Sequence, residues 1–183
     1  MTLEITVLFV ALTAIALVTA WTVLTGSPPT PTSPRVRRAM LACLPSRLPD
    51  GVIYELGAGW GGLSLELARR YPGISVVGIE VSPLPWLAAR LRGVIQRRTN
   101  LLFRYGDFRK TDVSDAALVV CYLSAGVLAD LKPKLEREMP AGALVLSSTF
   151  AVPGWRPVDT VTADDLYRSP IYLYEREVFE VMD

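Results

Sequence analysis

The fold of this chain is decided by a glycine-rich stretch, GVIYELGAGWGG, which spans residues 51–62. Residues 51–56 form a short apolar run, which is typical of a strand buried in a parallel sheet. The glycines that follow let the backbone turn sharply and approach a ligand where a Cβ atom would collide. We predict a helix over residues 62–71, whose unpaired N–H groups would face the polar end of that ligand. The stretch therefore predicts a strand, a ligand-binding loop and a helix.

Strand and helix patterns alternate along the rest of the chain. The patterns predict further strands over residues 74–79, 101–105, 116–122, 142–150 and 171–177, and helices over residues 35–44, 83–98 and 128–139. This alternation predicts an α/β fold, in which helices cover both faces of a parallel sheet. Such sheets bind ligands beyond the carboxyl ends of their strands, where the strand order reverses.

Carboxylates stand at the ends of three predicted strands. Glu55 precedes the first glycine by two residues, where it could face a cationic amino group. Glu80 ends the second strand, where its two oxygens could accept hydrogen bonds from ribose hydroxyls. Asp107 follows the third strand, where it could accept from an adenine amino group while the ring of Phe108 covers the base. Ordinary structural roles stay open, because Glu55 could cap a helix and Asp107 could sit in a turn.

Together these features favour S-adenosylmethionine (SAM) over a nicotinamide cofactor. The glycines alone also fit the G-x-G-x-x-G loop of a dinucleotide site, and such sites share an acid at the position of Glu80. The full set of carboxylates at successive strand ends is more specific, and the chain has no room for a separate substrate domain. The predicted cofactor-binding residues are Glu55, Gly57, Ala58, Gly59, Gly61, Glu80, Asp107 and Phe108.

The composition excludes several kinds of chemistry. The 183 residues suffice for one domain and a short appendage, and 19 Lys and Arg against 18 Asp and Glu argue neither for nor against nucleic acid. Because the chain has no His, it lacks Ser-His-Asp and Cys-His nucleophile systems and the commonest zinc ligand. We therefore expect neither a metal nor covalent catalysis. An acid-free stretch over residues 81–106 is either a solvated face or a contact for anionic lipid; its arginines are Arg90, Arg92, Arg97, Arg98 and Arg104.

An uncharged apolar run, ITVLFVALTAIALVTAWTVL, occupies residues 5–24. About 20 helical residues cover the roughly 30 Å core of a bilayer, so the run predicts a transmembrane anchor over residues 1–25. A cleaved signal peptide is the alternative, but such peptides begin with basic residues and the only charge before this run is Glu4. A proline-rich linker over residues 26–34 would then lead to a domain over residues 35–183. The basic residues that follow predict a single-pass protein whose domain lies in the cytoplasm or an equivalent compartment such as the matrix; they are Arg35, Arg37 and Arg38.

Five motifs carry a family resemblance: ELGAG (55–59), GIEVSP (78–83), GDFRK (106–110), KLERE (134–138) and FAVPGWRP (150–157). They are similar to those of the membrane-anchored seven-β-strand protein lysine methyltransferases that modify the ATP synthase c subunit and the adenine nucleotide translocase. The resemblance implies a Rossmann-like seven-stranded SAM-dependent methyltransferase fold and methyl transfer to a lysine ε-amine of a membrane protein. It also implies that Trp155 lies near the substrate. The chain departs from the family at Trp60, where members usually carry an acid, and it is shorter.

Tyr122 and Ser124 follow the fourth predicted strand, where this fold usually faces its substrate. They are the candidate catalytic residues, although the proton acceptor could equally be water or a carboxylate at the strand ends. Two other functions stay open at this point. One is a methyltransferase for a lipid or lipophilic small molecule, and the other is a SAM-binding module without turnover.

Overall fold

The computed structural model describes residues 3–9, 12–13, 15–16 and 32–177. In the domain, the helices are α1 (Pro34–Cys43), α2 (Gly62–Arg70), α3 (Pro83–Ile95) and α4 (Ala125–Glu138). The strands are β1 (Val52–Leu56), β2 (Val76–Glu80), β3 (Leu101–Tyr105), β4 (Ala116–Cys121), β5 (Leu144–Ser148), β6 (Asp159–Thr162) and β7 (Pro170–Glu175). A short 3₁₀ helix, Phe108–Lys110, follows β3.

The seven strands form one mixed sheet in the order β3-β2-β1-β4-β5-β7-β6. Strands β1 to β5 are parallel, whereas β7 runs antiparallel to both β5 and β6. The order reverses between β1 and β4, which is where such sheets bind ligands. The predicted α/β, Rossmann-like seven-stranded fold is therefore confirmed.

Helices cover both faces of the sheet, and apolar side chains fill the two layers between them. On one face, α1 and α2 pack Met40 and Leu67 against strand residues that include Ile53. On the other face, α4 packs Leu128 and Leu135 in a second core cluster. The two cysteines, Cys43 and Cys121, are buried in these layers.

The structure differs from the sequence-based prediction at the edge of the sheet. The sequence patterns located six of the seven strands that the resemblance implied. The strand they missed is β6, which pairs with β7 as an antiparallel hairpin whose turn covers residues 163–169. Helix α3 ends three residues earlier than expected, because Arg97 takes a left-handed backbone conformation with φ 50°. Helix α4 begins three residues earlier, at Ala125.

The expectation of a single-pass membrane protein is wrong. Among the residues that the structure describes, no helix has both the length and the apolar character needed to cross a bilayer. Residues 3–9, 12–13 and 15–16 of the expected anchor are helical. The remainder of the predicted anchor and residues 26–31 of the predicted linker lie outside the described residues.

Candidate active site

The carboxyl ends of the parallel strands meet along one edge of the sheet, which we call the rim. Strand register places Leu56 beside both Ile79 and Cys121, and it places Glu80 beside Tyr105. The loops that follow β1, β2, β3 and β4 therefore leave the sheet side by side. Neighbouring strands lie about 4.8 Å apart, so these four loops span roughly 15 Å.

The loop after β1 is rich in glycine, and there is free space beside Gly59. At Gly59, φ is +53° and no atom lies within 4 Å of the position that a Cβ would take. At Gly61, φ is +74° and a Cβ would lie 2.6 Å from the Cζ atom of Phe103. The loop is therefore open at Gly59, whereas Gly61 lets it pack tightly against β3.

The Glu80 carboxylate is fixed by two backbone amides. Gly59 N–H donates to Oε2 and Ser82 N–H donates to Oε1, each at 2.7 Å. The side chain is buried, so these bonds hold both oxygens in place beneath the loop. Each oxygen retains a lone pair, which could accept from a hydroxyl. The contact to Gly59 joins two elements that lie 21 residues apart in sequence.

Asp107 lies beside Glu80 at the same rim, because Gly106 N–H donates to the Glu80 carbonyl at 3.0 Å. Asp107 caps the 3₁₀ helix by accepting from Arg109 N–H at 2.9 Å. Its carboxylate also lies 3.6 Å from the Arg109 guanidinium, and the side chain is half-buried. The turn role and an accepting role toward a ligand are therefore compatible at this residue.

Glu55 lies beneath the rim rather than on it. Its carboxylate is buried and accepts a hydrogen bond from the Ser64 hydroxyl of α2. Burial raises the pKa of Glu55 to about 7, and the nearby Glu80 adds to the rise while the Ser64 hydrogen bonds oppose it. The structure does not bring this carboxylate out to the open side of the loop.

Two other predicted residues also point elsewhere. The Phe108 ring is buried in the core cluster under α4, with the Arg109 guanidinium 5.1 Å above it. The Trp155 indole donates to Glu136 Oε1 at 2.9 Å and makes an edge contact with Tyr174. Because Glu136 lies 11 residues beyond the start of α4, this contact is about 16 Å along the helix from the rim.

The rim continues on the far side of the glycine loop with exposed aromatic rings. Tyr122 follows β4 and is 40% exposed, and Ser124 is an exposed N-cap of α4. Phe150, the first residue of the FAVPGWRP motif, follows β5 and is 39% exposed, although no site role was predicted for it. Its neighbour Thr149 has φ 72°, a left-handed conformation that β-branched residues rarely adopt. No glycine or asparagine stands there to signal such a turn.

The residues at the rim fit SAM. The ribose of this ligand needs two acceptor oxygens, which the Glu80 carboxylate can offer. The adenine needs an acceptor, which Asp107 can offer, and the remaining chain needs backbone without side chains, which the open side of Gly59 can offer. Among the described residues, no group of three or more metal-ligating side chains could hold a metal ion.

Residues 55–159 match the family described as the ANTKMT methyltransferase domain. The chain belongs to this family. It is 30% identical over 151 residues to a protein-lysine N-methyltransferase of Saccharolobus islandicus, with 80% of this chain and 92% of that protein covered. It is also 32% identical over 115 residues to the mouse adenine nucleotide translocase lysine N-methyltransferase, with 61% of this chain and 48% of that protein covered. The chain thus spans about half the length of the mouse relative.

A solved structure supports a SAM-dependent methyltransferase fold. The RNA methyltransferase of Salinibacter ruber, in complex with S-adenosyl-L-homocysteine, superimposes with a TM-score of 0.73 and 31% identity. The match covers 84% of this chain and 99% of that one. This family member is therefore a SAM-dependent methyltransferase, and the expected cofactor is confirmed.

Proposed function

We propose that this enzyme transfers methyl groups to a lysine ε-amine of a protein, and that the acceptor enters the rim beside Tyr122. The observation that supports the proposal is the order in which these residues lie along the rim. The candidate cofactor residues lie over β1, β2 and β3, and the exposed Tyr122 and Phe150 lie next to them over β4 and β5. The named activity of the archaeal relative, matched over nearly its whole length, supports lysine as the acceptor.

The cofactor would lie across the glycine loop. We propose that Glu80 accepts from the ribose hydroxyls, that Asp107 accepts near the adenine, and that residues 57–59 and Gly61 bound the remainder. Glu55 would act from below, by supporting α2 through Ser64 rather than by touching the ligand. SAM supplies an activated methyl group, so the contribution of the protein is to hold the two reactants aligned at about 3 to 3.5 Å.

The acceptor amine must be neutral to attack, and the chain has no histidine to take its proton. No acid lies between Asp115 and Asp130 in the sequence, so the loop after β4 offers no carboxylate. We propose that the proton leaves to water at the open rim while the aromatic side chains desolvate the amine. Desolvation lowers the pKa of an amine and favours its neutral form.

The mouse relative is named for a translocase, which favours a membrane-associated protein as the acceptor. RNA is a second candidate acceptor, because the Salinibacter ruber protein is described as an RNA methyltransferase. A single labelling experiment separates the two. Extract from cells that lack the gene would be incubated with the purified enzyme and tritiated SAM, and then divided into protein, RNA and organic fractions.

The proposal expects label in protein, mapped by mass spectrometry to lysine. The matched control is the Glu80→Ala variant, which should incorporate much less label at the same SAM concentration. Label confined to RNA would replace lysine with a nucleotide acceptor. Label confined to the organic fraction would instead identify a lipid or a lipophilic small molecule.

A further inference from the structure

The β6–β7 hairpin carries two large apolar side chains into solvent at the rim. Leu166 is 88% exposed and Tyr167 is 84% exposed. Both belong to the turn over residues 163–169, which we call the hairpin tip. Leaving such side chains in water costs the free energy that their burial would recover. A partner that covered both side chains would recover this free energy.

Strand register places the hairpin tip at the same edge as the candidate active site. Strand β7 is antiparallel to β5, and Ile171 lies beside Ser148, the last residue of β5. Thr149 N–H donates to the Pro170 carbonyl at 2.7 Å, which ties the end of β5 to the start of β7. The hairpin tip thus continues the row that runs from Tyr122 to Phe150.

The hairpin tip is held in one conformation from within. Asp165 accepts from Ser169 N–H at 2.7 Å and from the Ser169 hydroxyl at 2.8 Å. Ala163 N–H donates to the Ser169 carbonyl at 2.9 Å, and Arg168 N–H donates to the Asp165 carbonyl at 3.1 Å. The exposed Leu166 and Tyr167 are therefore presented by an ordered turn, which lowers the entropy that binding would cost.

The segment that carries Phe150 is held in the same way. The Ser147 hydroxyl donates to the Phe150 carbonyl at 2.6 Å, and Val152 N–H donates to the Tyr174 hydroxyl at 3.0 Å. These contacts maintain the left-handed Thr149, a conformation that costs free energy and is usually retained where it serves a site. The turn at Thr149 leads the chain to Phe150, which lies at the rim.

The charge and apolar character of the hairpin tip indicate which kind of partner fits. The hairpin tip has two carboxylates, Asp164 and Asp165, and two cations, Arg168 and the Arg35 guanidinium, which donates to the Asp164 carbonyl at 3.3 Å. The Ser169 backbone bond holds the pKa of Asp165 below its usual range, and Asp164 is exposed with no ion pair among the described residues. An apolar surface without net charge suits the apolar residues of a polypeptide, and it offers no excess of cations to the phosphates of RNA.

We propose that Phe150, Leu166 and Tyr167 form a docking surface for apolar residues that flank the target lysine of a polypeptide substrate. This inference rests on the proposed lysine methylation and specifies its substrate class. The surface binds the flanking residues while the lysine side chain reaches the rim at Tyr122. Substrate choice then depends on the neighbours of the lysine as well as on the lysine itself.

The test compares two short synthetic peptides with one central lysine each, using the full chain and tritiated SAM. Leucine and valine flank the lysine in the first peptide, and serine and glycine flank it in the second. We expect the first peptide to give at least a tenfold higher kcat/KM. In the double variant Leu166→Ser/Tyr167→Ser, this preference should fall to less than threefold, mainly through KM, while the affinity for S-adenosylhomocysteine stays unchanged.

The control is Leu87→Ser/Leu91→Ser, which removes two apolar side chains of α3 that are 55% and 58% exposed. It should keep the peptide preference. A further variant, Thr149→Gly, should lower kcat/KM for the first peptide severalfold without lowering Tm, because glycine accepts φ 72° without strain. A purely structural role for Thr149 would leave kcat/KM unchanged.

Equal labelling of both peptides by the wild type, or equal effects of the two double variants, would overturn the docking surface while leaving lysine methylation intact. Label on neither peptide would also overturn docking of linear segments. The cell-extract experiment then decides separately whether lysine transfer itself stands.

Discussion

Replacing Glu55 with glutamine should change how the stability of the fold depends on pH. Glu55 is buried under the glycine loop, and its pKa is raised from 4.5 to about 7 by burial. Glutamine keeps an acceptor for the Ser64 hydroxyl but cannot ionise. The substitution therefore removes the titration while preserving the hydrogen bond.

The size and sign of the effect follow from the shifted pKa. Between pH 4.5 and 7 the folded wild type binds a proton that the unfolded chain has released, so its stability falls as pH rises. A shift of about 2.5 pH units at 1.36 kcal/mol each gives a total loss of roughly 3 kcal/mol. The Glu55→Gln variant lacks this loss. Its free energy of unfolding should therefore rise relative to that of the wild type up to about pH 7.

Urea denaturation of both proteins at pH 5, 6, 7 and 8 measures this difference. The free energy of unfolding of the variant minus that of the wild type should grow by 2 to 3 kcal/mol across the series and then level off. Asp50→Asn is the control, because Asp50 is an exposed carboxylate outside the site. A difference that stays constant from pH 5 to pH 8 would refute the buried, proton-binding state of Glu55.

Three further substitutions test the rim and its support. Asp107→Ala should weaken binding of S-adenosylhomocysteine by about 1 to 3 kcal/mol in calorimetry, as expected for a lost charged hydrogen bond; an affinity equal to that of Asp50→Ala would remove Asp107 from the cofactor site. Gly61→Ala should destabilise the fold by about 1 to 3 kcal/mol, because its Cβ would lie 2.6 Å from the Phe103 ring. Gly142→Ala is the matched control, because Gly142 has φ +75° but no atom within 4 Å of its Cβ position, and equal Tm values for the two variants would contradict this packing. Asn100→Ala should cost about 1 to 3 kcal/mol in urea denaturation, because the two N–H bonds of the Asn100 amide are shared among the carbonyls of Ala68, Tyr71 and Ile74; a change below 0.5 kcal/mol would mean that water replaces these bonds.

Much of the fold could be predicted because local sequence signals agree with it. The apolar run before Gly57 and the prolines at the start of α3 mark element boundaries that the structure keeps. Strand β6 was missed because its four residues, Asp159–Thr162, are mostly exposed and show little apolar alternation. Its pairing with β7 depends on a contact that no local pattern encodes.

The position of the rim was also predictable, because strand ends in a parallel sheet share one edge. Side-chain directions were not. Glu55 lies on the strand itself and turns toward Ser64, whereas Glu80 at the strand end lies beneath the loop. Phe108 packs inward because the 3₁₀ turn directs it to the core, and Thr149 adopts a positive φ that its sequence gives no reason to expect.

We propose above all that the glycine loop and Glu80 enclose the cofactor at the rim. Isothermal titration of the purified chain with S-adenosylhomocysteine tests it directly, with Glu80→Ala titrated in parallel. We expect one saturable site in the wild type and an affinity at least fivefold weaker in the variant. Saturable binding of equal strength in both proteins, or no saturable binding in the wild type, would contradict it.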